Sequence, residues 1–213
     1  MRSIRTTGTE LFTHGLAPGA SEFTVKGVAY RGHVEYVDKF VPGGMAAMKA
    51  AMEPELARFF DQPFLAASRY DVFPLAQAGV ACGQLTRLGF FEFVKIRAHY
   101  QADQDLKGVY SFVLKLTTAE AVAKRLPTLL FQFFNFGEVE RVDTSRDALE
   151  AVLTGVPEPL APWVGNVTRE YLHRALSTAA RRSVEVDTQI AERVGAHASG
   201  MPLTKIVYRC RWG

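Results

Sequence analysis

Two hydrophobic periods divide the chain. From Val25 to about Leu116 apolar residues recur at three- and four-residue steps, as in PLAQAGVACGQL, where Leu75, Ala78, Gly79, Cys82 and Leu85 form one helical stripe. GFFEFVKIRAHY, 89–100, continues this with Phe90, Phe93, Val94 and Arg97 on neighbouring turns. Short helices precede it, separated by PGG at 42–44, Pro54 and Gln62-Pro63. Thr118 sits in N-cap position for a further helix that Pro127 interrupts or restarts, and Phe131, Phe133, Phe134 and Phe136 crowd its far end.

After Asn135-Phe136-Gly137 the period falls to two. EVERV (138–142) and DALEAVLTGV (147–156) form a hairpin joined by DTSR, with Leu149, Ala151 and Leu153 on one face. PEPLAPWVGNVTREYLHRALSTA then predicts a helix of about four turns, with Val164, Val167, Tyr171 and Ala175 in its stripe. RSVEVDTQI (182–190) places Val184, Val186 and Ile190 on one side; KIVYRCRW (205–212) places Ile206, Tyr208, Cys210 and Trp212 on one side. The order predicts an α+β protein: an N-terminal helical layer packed on a four-stranded, largely antiparallel sheet built as strand, strand, helix, strand, strand. One domain is expected over 1–213, helical over about 25–136 and sheet-containing over about 137–213.

Composition narrows the class. The 213 residues carry 25 basic and 22 acidic side chains, a net charge of +3, with 48% hydrophobic residues, the balance of an ordinary globular protein. Nucleic acid is not implied by so mild a charge. Cys82 and Cys210 stand alone, without CxxC spacing, which fits a reducing cytoplasm. The N-terminal MRSIRTTGTELF lacks the apolar core of a signal peptide, and no apolar run approaches the ~18 residues of a membrane span, so a soluble cytoplasmic protein is expected.

No catalytic motif is present: GxSxG, GxGxxG and GxxxxGK[ST] are all missing. His14, His33, His99, His173 and His197 are widely spaced, and none makes HxxxH or HExxH, so no metal site is read from spacing. Asp103 and Asp105, in QADQD, read as a polar turn capping a helix that starts near Leu106. His99 shares an amphipathic segment with Glu92, Lys95, Arg97, Phe93 and Tyr100; it reads as a polar group at the mouth of an apolar pocket or as a solvated helix edge. Gly27 and Gly32, in VKGVAYRGHVEYV, each cost a helix roughly 1 kcal/mol against alanine. They allow a homodimer seam, a strand, or a tight contact within the chain. Arg181, Arg182, Arg209 and Arg211 form either a basic stripe for an acidic partner or a solvated face paired with Glu185 and Asp187, the simpler reading.

VKGVAYRGHVEYV (25–37), LPTLLFQFFNFGEVE (126–140), PWVGNVTREYL (162–172) and KIVYRCRW together resemble the superfamily of 4-vinyl reductase domains, haem nitric-oxide-binding domains and TRAPP vesicle-tethering subunits. More closely, the chain looks like a family of paralogous cytoplasmic proteins of similar length in myxobacteria. The resemblance implies a small-molecule-binding or assembly module, often dimeric and seldom a catalyst. Cys210 alone does not reproduce the cysteines of many 4-vinyl reductase domains. His99 lies on a helix ahead of the sheet, as a proximal haem histidine would, but the tyrosine–serine–arginine signature for haem propionates is missing, and haem is not carried over.

The resulting expectation is a non-enzymatic sensory or regulatory module that binds a small apolar or aromatic ligand between helices and sheet. Phe131, Phe133, Phe134 and Tyr100 would line the site, with His99 or Arg97 supplying polarity. No cofactor is named, and a homodimer or protein partner is expected. The alternative is an interaction module with a solid core, in which the phenylalanines serve packing alone; a haem sensor or an enzyme ranks below both.

Overall fold

The computed structural model describes residues 15–107, 118, 120–125 and 132–212. The chain divides into two compact units, Met1–Val94 and Lys95–Gly213. The division falls inside one long helix.

The first unit contains β1 (Thr24–Lys26), α1 (Gly27–Phe40), α2 (Gly44–Ala50), α3 (Pro54–Phe59), β2 (Arg69–Asp71), α4 (Phe73–Leu85) and the start of α5 (Phe90–Lys107). The breaks predicted at PGG and Pro54 are present: Gly43 and Gly44 take φ of 78° and 57°, and Pro54 occupies the first turn of α3. The all-helical reading of this region is corrected by β1 and β2, which pair antiparallel with Val25 opposite Tyr70. Three residues are too few to show a period of two.

Asp71 fastens this ribbon to its surroundings. Its carboxylate, buried at 3% exposure, accepts the backbone N–H groups of Gly19, Ser21 and Phe73 at 2.9, 3.4 and 2.9 Å, the last opening α4. Its carbonyl accepts the Tyr30 hydroxyl at 2.5 Å. Tyr30 is fully buried, stacks on Phe64 at 4.4 Å between ring centroids and touches Phe59 and Phe60, so one aromatic core links α1 to the segment after α3. Gly27 lets that segment approach. A Cβ there would lie 2.1 Å from the Leu65 carbonyl oxygen, so of the three readings of this glycine the structure supplies the tight contact within the chain.

The second unit holds the rest of α5, α6 (120–125), β3 (Glu138–Thr144), β4 (Ala148–Pro157), α7 (Ala161–Ala180), β5 (Glu185–Ala196) and β6 (Pro202–Arg211). The sheet is antiparallel throughout, in the order β3-β4-β6-β5, as the alternation predicts. Leu149, Ala151, Leu153, Ile206, Tyr208, Cys210 and Trp212 are buried. α7 packs across β5 and β6, and a Cβ on Gly165 would make ordinary contact with Thr188 at 3.4 Å and Ile206 at 3.9 Å. Ile190, expected on the buried side, is 46% exposed, because the pairing shifts register directly after it on an edge strand. α7 runs to 20 residues, longer than the four turns expected.

Two further readings are corrected. Asp103 and Asp105 are not a capping turn, since α5 continues unbroken to Lys107 with Ala98, Ala102 and Leu106 buried along one stripe. Thr118 does cap α6, accepting the Ala121 N–H at 3.1 Å, but Phe133 and Phe134 lie in a turn and an isolated bridge instead of a helix end; Phe131 falls outside the described residues.

The outer sheet face carries the charges. Glu185 lies opposite Arg211 and Asp187 opposite Arg209, the cross-strand register expected for the simpler reading of the arginines. Glu150 accepts from Arg209 at 2.8 Å and from Arg141. These bonds, Arg209's foremost, hold the Glu150 carboxyl below the ordinary glutamate value of 4.5.

Two outcomes are expected. Gly27→Ala should destabilise the protein by roughly 1–3 kcal/mol, the range for overpacking, read as a lower urea midpoint at unchanged m-value. Because the folded-state pKa of Glu150 is depressed, its contribution is complete above pH 4.5 and fades as pH falls through the lowered value. Glu150→Gln should therefore flatten the acid limb of a stability-versus-pH curve.

Candidate functional site

α5 and α7 meet within the second unit along a polar seam. Arg174 donates to Asp103 at 2.5 Å, and one turn earlier on both helices His99 Nε2 lies 2.7 Å from Glu170 Oε2. Tyr171 donates to Asp105 at 3.3 Å, and Gln101 donates to its other oxygen at 2.7 Å. Burial pushes the Asp105 carboxyl up, against the pull of these two bonds and of the Arg97 charge.

Glu170 is the deepest charge in the seam, 5% exposed, and a carboxylate so placed requires partners. Its Oε1 accepts from Arg169 Nε at 2.7 Å. Its Oε2 faces His99 at hydrogen-bond distance but off the line of a ring N–H, so the pair is in contact without a hydrogen bond. His173, one turn along α7 from Glu170, stacks on His99 with centroids 5.6 Å apart and planes at 17°. Its Nδ1 is buried and has no hydrogen-bond partner. Burial lowers the His173 pKa, as does the nearby His99, while Glu170 opposes both. His99, Glu170 and His173 offer one ligand atom each, all within 4.8 Å of one another.

The sequence-predicted residues thus separate. His99 joins Glu170 and His173; Arg97 lies on the α5 side that influences Asp105; Tyr100 is half-buried on α5. Phe134 packs edge-on against Trp163 at 6.2 Å and beside Phe136 at 5.0 Å, with Phe133 half-buried next to it. Trp163 precedes Glu170 by about two turns, roughly 10 Å along the helix axis. Neither HxxxH nor HExxH spacing marks Glu170 and His173. The pattern present is E-x-x-H, which puts both side chains on one helix face. Cys210 is no part of this group; burial pushes its thiol up to about 12.

A separate cavity of about 440 Å³ lies wholly in the first unit. Leu16, Met52, Phe73 and Val80 give it apolar walls, Gln77 and Gln84 of α4 add amides, and Glu53, Glu55 and Asp71 add carboxylates.

No protein-family model matches the chain, and no curated protein matches it in sequence. Solved structures do match in fold. The Fe(II) unliganded H-NOX protein from K. algicida superposes with a TM-score of 0.59 at 9% identity, covering 86% of this chain and 96% of that one. An H-NOX family member solved to probe the function of haem distortion gives 0.60 at 9% identity, covering 88% and 94%. An oxygen-binding H-NOX domain related to soluble guanylate cyclases gives 0.58 at 9% identity, with the same coverage of 88% and 94%. The chain has the H-NOX-like α+β fold. Among the described residues no helix is long and apolar enough to cross a membrane.

Proposed function

We propose that this chain is a non-enzymatic sensory or regulatory module that binds a small molecule with an apolar or aromatic body. The observation that carries this reading is the cavity of about 440 Å³ in the first unit. Its volume falls within the roughly 300–1,000 Å³ of ligand pockets, and its mostly apolar walls with a few amides and carboxylates match their usual chemistry. The solved neighbours lend support, being described as an oxygen-binding domain and as a haem-bearing family. The competing expectation is an interaction module with a solid core at the phenylalanine cluster.

Haem itself does not fit the histidine expected to hold it. His99 Nε2 is turned to Glu170 Oε2, and its ring lies against His173. The ligand is therefore read as a free small molecule. The closer likeness to the myxobacterial paralogues, and action as a homodimer in a cytoplasmic pathway, belong to the same proposal.

Phe133 and Phe134, beside Trp163, are the second location for an aromatic ligand, and a paired substitution separates the two. Gln77→Trp places an indole at the cavity wall, whereas Phe134→Ala opens the phenylalanine cluster. With anilinonaphthalene sulfonate as the probe, the expected result is saturable fluorescence enhancement by the native protein. Gln77→Trp should weaken it at least about tenfold, a loss of 1.4 kcal/mol, and Phe134→Ala should leave it nearly unchanged. Loss in Phe134→Ala alone, with native circular dichroism, moves the site to the phenylalanines; no saturable binding by the native protein overturns the proposal.

A further inference from the structure

We propose that His99, Glu170 and His173 form a binding site for a divalent first-row transition metal, Zn²⁺ or Fe²⁺ by the chemistry of the donor set. The site is independent of the cavity in the first unit, and neither stands or falls with the other.

The donors are two imidazoles and one carboxylate, a set that suits zinc or non-haem iron and disfavours the all-oxygen ions Mg²⁺ and Ca²⁺. Ligand atoms bonded at about 2.0–2.1 Å to a tetrahedral ion stand roughly 3.4 Å from one another. The separations here, from 2.7 Å for His99 and Glu170 up to 4.8 Å within the group, bracket that value.

Three details point to an ion in preference to a plain His99–Glu170 ion pair. Nε2 and Oε2 are in contact, yet the oxygen lies off the ring N–H direction, as two donors sharing a cation would be placed. His173 Nδ1 is a buried nitrogen with no hydrogen-bond partner. Glu170, buried at 5% exposure, has its outer oxygen held by Arg169, the kind of support that fixes a ligating carboxylate. The neighbouring turn is held by Arg174 on Asp103, so α5 and α7 present their donors from a braced seam.

Three protein ligands leave at least one coordination position open. The class of second ligand the site would take is a small donor molecule or anion.

The test is Co²⁺ titration of the chelator-stripped full chain, followed by its visible absorption. The expected result is saturation at one equivalent and displacement by Zn²⁺. His99→Gln and His173→Gln should each weaken Co²⁺ by more than about 100-fold, since even outer-shell partners of metal ligands are worth roughly 10–100-fold. His197→Gln, on the turn between β5 and β6, should leave affinity unchanged. His173 is partly exposed, so its variant retains a reading if His99→Gln fails to fold, and circular dichroism confirms the fold of each. Absent cobalt bands in the native chain, or undiminished uptake in folded His173→Gln, overturns the proposal in favour of a plain ion pair.

Discussion

A sheet with one apolar face must be covered, and that requirement organises the second unit. Leu149, Leu153, Ile206 and Tyr208 cannot stay wet, and α7 is the helix laid across β5 and β6. The contact is close: a Cβ on Gly165 would already touch Thr188 at an ordinary 3.4 Å, and the Tyr208 hydroxyl reaches the Val164 carbonyl at 3.5 Å. Once α7 is fixed this way, its rotation about its own axis is fixed too. Glu170, His173 and Arg174 must then turn toward α5, where His99 and Asp103 meet them. Burial on one side of α7 thus sets the chemistry on the other.

The first unit solves a different problem by similar means. Its helices are short and broken by glycine and proline, so each buries little area by itself. Asp71 ties the 19–21 stretch and the start of α4 to one carboxylate through three backbone N–H groups, and its carbonyl takes the Tyr30 hydroxyl. A buried carboxylate is tolerable because its acceptors are met by backbone donors, which themselves would otherwise lack partners. The same donors and acceptors, left unmatched, would each have cost about 1–3 kcal/mol.

The sheet was legible because its strands are long and one-sided: β4 and β6 each offer several alternating positions, enough for a period of two to stand out. The ribbon of β1 and β2 was not, having three residues a strand. QADQD looked like a turn because its polarity is dense, but Arg174 and Tyr171 on another helix meet those carboxylates, which no local reading of the sequence supplies. His99 stands out in the sequence as a polar residue on an amphipathic segment; the groups it meets, Glu170 and His173, lie some seventy positions away on α7, beyond any spacing rule. The E-x-x-H pair at 170 and 173 was the one local signal for that group. The cavity had none, since it is set by how α4 packs against chain around Leu16 and Met52 and no residue type marks it.

The sheet order also constrains how the second unit can assemble. β3 with β4, and β5 with β6, are local hairpins whose loops close quickly. The central pair is not: Leu149 must find Cys210, with the whole of α7 and β5 between them in the chain. Loop-closure entropy therefore places that pairing late, after the hairpins exist. Until the two ribbons join, the inner edges of β4 and β6 present open backbone, and the rate of their meeting sets how long a nascent chain is exposed to mispairing with another copy.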